Sequence, residues 1–216
     1  GRDVFDAFVG ADSDAAAAPR TGDSPHLRPY FLFVGRLERI KGVQDILPVF
    51  AGAGDTDLLI AGDGEFGLDL RRQAAGMPRV RFLGRVASEE LARYYAHAIA
   101  LIVPSLCFET FGIILLEAFR QSTPVIARRL GPFTEIVEVS GGGELFSDQR
   151  ELSASMERLQ TDKTYRDGVA AAARKAFGER WREDVVVPHY LDLVRDAAQR
   201  KGDTRVLDLL RLGRTA

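Results

Sequence analysis

Apolar residues along this chain come in short unbroken bursts, each stopped by glycine or proline and followed by a stretch of helical spacing. Tyr30-Phe31-Leu32-Phe33-Val34 is apolar throughout and stopped by Gly35, the pattern of a strand buried on both faces in a parallel sheet. A helix is expected over about 41–50, with Val43, Ile46, Leu47 and Phe50 on one side. Residues 58–61 read as a second strand ended by Gly62-Asp63-Gly64, 66–75 as a helix, and 80–83 as a third strand stopped by Gly84. Ser88 is the expected N-cap of a helix running to about His97. A fourth strand over 100–103 ends at Pro104-Ser105, a helix spans 111–120, and a fifth strand spans 124–127. A short helix over 133–139 and a brief strand over 144–146 come next. From Asp148 the spacing is helical, with breaks expected near Gly168 and Gly178 and a last amphipathic helix over about 181–199.

Strand and helix alternate at least five times, which predicts a doubly wound, Rossmann-like α/β domain with a parallel sheet and right-handed crossovers. Its expected extent is residues 29–180, with a C-terminal helix and charged tail over 181–216. Residues 1–28, with Ala15-Ala16-Ala17-Ala18-Pro19 and scattered Gly, Asp and Ser, read as a linker. At 46% apolar and 28% charged residues, the 216-residue chain has ample material for a core. A formal charge of −2 argues against nucleic acid as a partner, so any bound anion must be caught by a few placed groups. One cysteine, Cys107, excludes an internal disulfide and fits a reducing compartment. No apolar run is long enough to span a bilayer and no signal peptide is visible, so a cytoplasmic location is expected.

Ligands of such sheets bind at the carboxyl ends of the strands, which singles out the loops 35–42, 62–66, 84–88 and 104–112. Lys41 falls at the expected start of a helix, where the macrodipole disfavours a cation by about 0.3–1 kcal/mol, so an anion shared with Arg36 would account for it. The plain alternative is two solvated charges with Glu38 as a local partner. Gly112 opens a helix, so its amide and those of Ile113 and Ile114 stand unpaired and can bind a diphosphate; the alternative is that Thr110 only caps the helix. Glu117 lies among Ile113, Ile114, Ala118 and Phe119 and needs donors, either two sugar hydroxyls or a salt bridge to Arg120. Glu109, eight positions earlier, would stand about 12 Å away along a continuous helix, the reach of a nucleotide sugar across its diphosphate, or it is a plain surface carboxylate. Arg85 and Val86 border a base or form ordinary loop, and Asp63-Gly64-Glu65 is a tight turn. His26, His97 and His189 lie outside the binding loops, and no spaced Cys/His set marks a metal site.

The order of these segments resembles family 4 glycosyltransferases. The pieces are Phe33-Val34-Gly35-Arg36-Leu37 through Lys41-Gly42, Ala61-Gly62-Asp63-Gly64, Phe82-Leu83-Gly84, and Val103-Pro104-Ser105 through Glu109-Thr110-Phe111-Gly112-Ile113-Ile114-Leu115-Leu116-Glu117-Ala118. The resemblance implies the C-terminal half of a GT-B architecture, which transfers a sugar from a nucleotide-diphosphate donor with retention of configuration and without a metal or other cofactor. It implies that Arg36 and Lys41 hold the diphosphate, and that backbone near Gly35, Phe111, Gly112, Ile113 and Ile114 contacts donor. It further gives Glu109 the sugar hydroxyls, Glu117 the ribose, and Arg85 and Val86 the base. The acceptor-binding N-terminal domain is not in these residues, so the chain alone is expected to bind nucleotide without turning over; peripheral membrane association of a fuller protein stays open. Gly131-Pro132 and Gln121-Ser122 depart from the family pattern and leave the sugar preference open. A competing reading is a noncatalytic nucleotide-binding subunit that pairs with a separate acceptor-binding chain; an epimerase or a phosphorylase relative is a more distant one.

Overall fold

The computed structural model describes residues 23–212. Contacts divide the chain into two compact units, one ending at Phe177 and the other taking in Gly178 onward.

The first unit is built on six parallel strands: β1 (Tyr30–Val34), β2 (Asp57–Ala61), β3 (Val80–Gly84), β4 (Leu101–Val103), β5 (Val125–Arg128) and β6 (Gly143–Phe146). Their order is β3-β2-β1-β4-β5-β6, the doubly wound arrangement expected from the alternation of elements. The apolar bursts form strands because both faces of the sheet are covered. Along β1, Phe31 and Phe33 enter one core layer with Ile46, Phe50, Leu70, Leu152 and Leu159, while Tyr30 and Leu32, buried too, point to the opposite face.

Between the strands lie α1 (Val43–Ile46), α2 (Gly67–Gln73), α3 (Ser88–His97), α4 (Ile113–Arg120) and α5 (Pro132–Ser140), followed by α6 (Gln149–Thr161) and α7 (Lys163–Arg180). Several boundaries differ from the sequence reading. The helix expected over 41–50 is broken into a 3-10 turn at Arg39–Lys41, the single turn α1, and a second 3-10 turn at Leu47–Phe50. Gly42 (φ 74°) interrupts the first join, and Pro48, which lacks an N–H, stands in the second 3-10 turn. Ser88 is the first helical residue of α3, with Ala87 as N-cap and no side-chain cap. Asp148 does cap α6, accepting from the amide of Glu151 at 2.8 Å. Gly168 and Gly178 break nothing: α7 runs through both, and the interruption falls at Asp162, the C-cap of α6. An isolated helical glycine costs only about 1 kcal/mol, which neighbouring helix formers carry.

Of the expected linker, residues 1–22 lie outside the described residues. Residues 23–28 are fastened to the domain: His26 Nε2 lies 2.8 Å from Oδ2 of the buried Asp57, and Arg28 Nε lies 3.4 Å from Oδ1. The second unit contains α8 (Glu183–Lys201), with Pro188 inside it, and α9 (Thr204–Leu212); Gly202 in the left-handed region turns the chain between them.

Gly42 tests the packing of the loop after β1. A Cβ there would stand 2.0 Å from the carbonyl oxygen of Pro104, at a φ that side chains avoid. Gly42→Ala is expected to lose at least about 1–3 kcal/mol of stability from backbone strain alone, read by urea denaturation; an unchanged midpoint would contradict the close approach.

Candidate functional site

At β1 the strand order reverses, with β2 on one side and β4 on the other, and the carboxyl ends of β1 and β4 frame a cavity of about 310 Å³. Its floor is strand residues: Phe33, Val34, Ile102 and Val103. Gly35, Arg36 and Lys41 line it from the loop after β1, and Ser105, Glu109, Thr110 and Phe111 from the loop after β4. Gly112, Ile113 and Ile114 at the head of α4, together with Phe133 of α5, complete the wall.

Local geometry explains why these groups converge. Gly112 adopts φ 84° as the N-cap of α4, and no side chain caps that end. The helix therefore presents free amides toward the cavity, and Thr110 is not the cap. Leu106 donates its amide to the Ile40 carbonyl at 2.8 Å, which stitches the β4 loop to the β1 loop beside Lys41.

Lys41 does not stand at a helix start. It closes a 3-10 turn two residues before α1, and α1 is a single turn, so the macrodipole argument does not apply to it. Its ammonium donates instead to Oε1 of Glu109 at 2.5 Å, both side chains being about three-quarters covered (20% and 26% exposed). Ser105 Oγ lies 3.3 Å from the same oxygen. Arg36 is largely exposed (77%) and pairs with Glu38 at 2.8 Å, the local partner raised as the plain alternative.

Glu109 lies outside the helix, so the estimate of 12 Å along a continuous axis has no basis in the fold. Glu117 sits on α4 one turn beyond the cavity and is not among the residues lining it. Leu115, Leu116, Ala118 and Phe119 are the buried face of α4, whereas Glu117 keeps an exposed one. Its Oε2 accepts from the hydroxyl of Tyr95 at 2.8 Å, a partner that sequence spacing did not indicate. Burial on that side pushes the Glu117 carboxyl above its ordinary value, and the Tyr95 hydrogen bond pulls the other way; contact with water damps the displacement. Arg85, exposed, and Val86, half-buried, follow β3 and do not line this cavity either. Phe133, which lines the cavity, and Tyr95, which meets Glu117, were missed because each arrives from an element distant in sequence; Ser105 lies inside the 104–112 loop, but nothing in its spacing marked it as a partner of Glu109. Among the described residues no group of three or more His, Cys, Asp or Glu is placed to hold a metal, and no helix is long and apolar enough to cross a membrane.

A crevice at the switch point of a parallel sheet, lined by two cations, one carboxylate and free helix amides, stands where Rossmann-like domains take anionic ligands. The chain belongs to the glycosyl transferases group 1 family, which matches residues 28–162, and its domain is of the GT-B glycosyltransferase type. It is 31% identical over 185 residues to a phosphatidyl-myo-inositol mannosyltransferase of Mycobacterium leprae, covering 82% of this chain and 49% of that protein. It is similar in fold to HepE of Anabaena in complex with UDP (TM-score 0.72, 22% identity, 78% of this chain and 49% of that one). A further fold likeness is to the C-terminal domain of a glycosyl transferase group 1 family protein of Francisella tularensis (TM-score 0.61, 21% identity, 72% of this chain and 89% of that one). The chain spans less than half the length of the curated relatives it matches.

The displaced carboxyl gives a pH test. A fold that favours protonated Glu117 is most favoured by this group in acid and loses that contribution as pH rises through the raised pKa. Glu117→Gln is neutral at every pH. Its melting temperature is expected to match the native protein's below about pH 4 and to exceed it at neutral pH; a gap that is constant with pH would contradict the assignment.

Proposed function

We propose that this chain is the donor-binding, C-terminal half of a retaining family 4 glycosyltransferase, acting on a nucleotide-diphosphate sugar with an acceptor held by a domain outside these residues. The observation that carries the reading is the shared cavity of Lys41, Arg36, Glu109 and the amides from Gly112 to Ile114 at the reversal of strand order. The likeness to a domain described as C-terminal, of which 89% is covered, supports the choice of half, and the UDP complex of a protein with this fold supports a nucleotide as the ligand.

In this reading the diphosphate lies across the head of α4. Lys41 exchanges Glu109 for a phosphate, and Arg36 swings from Glu38 to add its planar fork. Glu109, released, accepts from hydroxyls of the transferred sugar. As the glycosidic bond breaks, negative charge grows on the departing nucleoside diphosphate. Cations and amides already aimed at that position lower the barrier without reorganising. Glu117 takes the ribose, and Arg85 and Val86 border the base. All three stand outside the lining of the present cavity, so in this reading the nucleoside extends beyond it along α4 and toward β3.

Binding of UDP, GDP and ADP and their sugars, followed as a rise in melting temperature, tests the reading. At least one nucleoside diphosphate is expected to stabilise the chain; no response to any of them would overturn it. Lys41→Ala is expected to weaken that nucleotide about tenfold to a hundredfold, the worth of one or two charged hydrogen bonds. Glu109→Gln frees Lys41 and should tighten the bare diphosphate about threefold or more while lowering transfer in the complete enzyme. Calorimetry reads the first effect and sugar-transfer assays the second, and weaker binding by Glu109→Gln would contradict the exchange of partners. Sugar transfer by the 216-residue chain alone would refute the need for a second domain.

A further inference from the structure

The Tyr95–Glu117 pair carries an inference that rests on the reading of Glu117 as the ribose acceptor and goes one residue further. Tyr95 lies on α3, not on the loops or on α4, and is almost wholly buried (3% exposed). Its hydroxyl reaches Oε2 of Glu117 at 2.8 Å. The backbone under it is tied down from two directions. The buried Thr123, just before β5, donates its hydroxyl to the Tyr95 carbonyl at 2.7 Å, and Tyr30 of β1 donates to the Tyr94 carbonyl at 2.8 Å. A core aromatic that spends its one hydroxyl on an acid with an exposed face is not explained by packing alone, since phenylalanine would fill the same space.

We propose that Tyr95 is a positioning residue for nucleotide recognition: it holds the plane of the Glu117 carboxylate so that the free lone pairs meet the two hydroxyls of a ribose. A carboxylate offers about four acceptor sites, and Tyr95 occupies one. Unheld, an exposed glutamate samples several rotamers, and ordering it on binding costs affinity. Held, it accepts a vicinal diol without that cost and penalises a sugar that lacks either hydroxyl. Burial and the neighbouring carboxylate push the Tyr95 hydroxyl well above its ordinary value, so it remains a donor across the range in which enzymes work.

The readout is the ratio of affinities for a ribonucleotide and its deoxy counterpart, measured by calorimetry with UDP, GDP and ADP against their 2′-deoxy and 3′-deoxy forms. The native chain is expected to prefer the ribonucleotide about tenfold or more, the scale of a charge-assisted hydrogen bond. Tyr95→Phe preserves the ring, so its affinity for the deoxy forms should be unchanged, while its preference falls to within about threefold of unity. Glu117→Gln should collapse the same ratio. If Glu117→Gln loses the preference and Tyr95→Phe keeps it, the positioning role is overturned and the ribose reading stands. If the native chain shows no preference, or Glu117→Gln retains it, the ribose reading falls and this inference with it. Equal weakening of both nucleotide forms by Tyr95→Phe marks a merely structural role and also overturns the proposal. A measurement that spares the hydroxyl uses 3-fluorotyrosine at position 95. Its fluorine resonance should shift with the ribonucleotide and shift less with the deoxy form; identical shifts would overturn the proposal even if Tyr95→Phe proved unstable.

Discussion

The parallel pairing of β1 with β4 is the constraint from which the site follows. With β2 on the other flank of β1, successive crossovers leave the sheet in opposite directions, and the loops after β1 and β4 part above their strands. The opening is then sewn along one side. The turn at Gly42 lies against the Pro104 carbonyl, Leu106 donates to Ile40, and Arg128 of β5 donates to Pro104 at 3.0 Å. Backbone contacts of this kind leave little freedom in where the two loops stand. They bring Lys41 and Glu109, 68 positions apart, within hydrogen-bonding distance.

The charges in the crevice are balanced locally. Arg36 has Glu38 and Lys41 has Glu109; the first pair is open to water through Arg36 and adds little to stability, while the second is largely covered but keeps an edge on the cavity. Such pairs suit exchange better than scaffolding. In the proposed reading an incoming anion takes over these cations, and their previous partners are freed, close by, as acceptors for hydroxyl groups. The helix amides at α4 are fixed by the backbone and need no exchange, so they set the position while the side chains adapt.

The Glu117 carboxyl, assigned to the ribose in the proposed reading, depends on a different layer of the molecule. Glu117 rides on α4, but the group that steadies it comes from α3, and α3 is held by Tyr30 and Thr123 on neighbouring elements. The acid thus inherits its orientation from the core. Its own neighbours on α4, Leu115, Leu116, Ala118 and Phe119, are turned inward and supply anchorage rather than chemistry.

Much of this could be read from the chain alone. An unbroken run such as Tyr30 to Val34 can be a strand only if both faces are covered, which demands a parallel sheet with helices on each side. The glycines after the strands then mark the binding loops. Tertiary structure decided what local spacing cannot encode. Lys41 looked like a helix start because the apolar period begins just after it at Val43, yet the left-handed turn at Gly42, lying against Pro104, breaks the helix between them. Glu117 looked buried because its neighbours are, yet helix rotation leaves it with an exposed face and gives it Tyr95 as a partner. Period and composition report which face of an element is apolar; which distant group meets a given polar atom is set only when the elements pack.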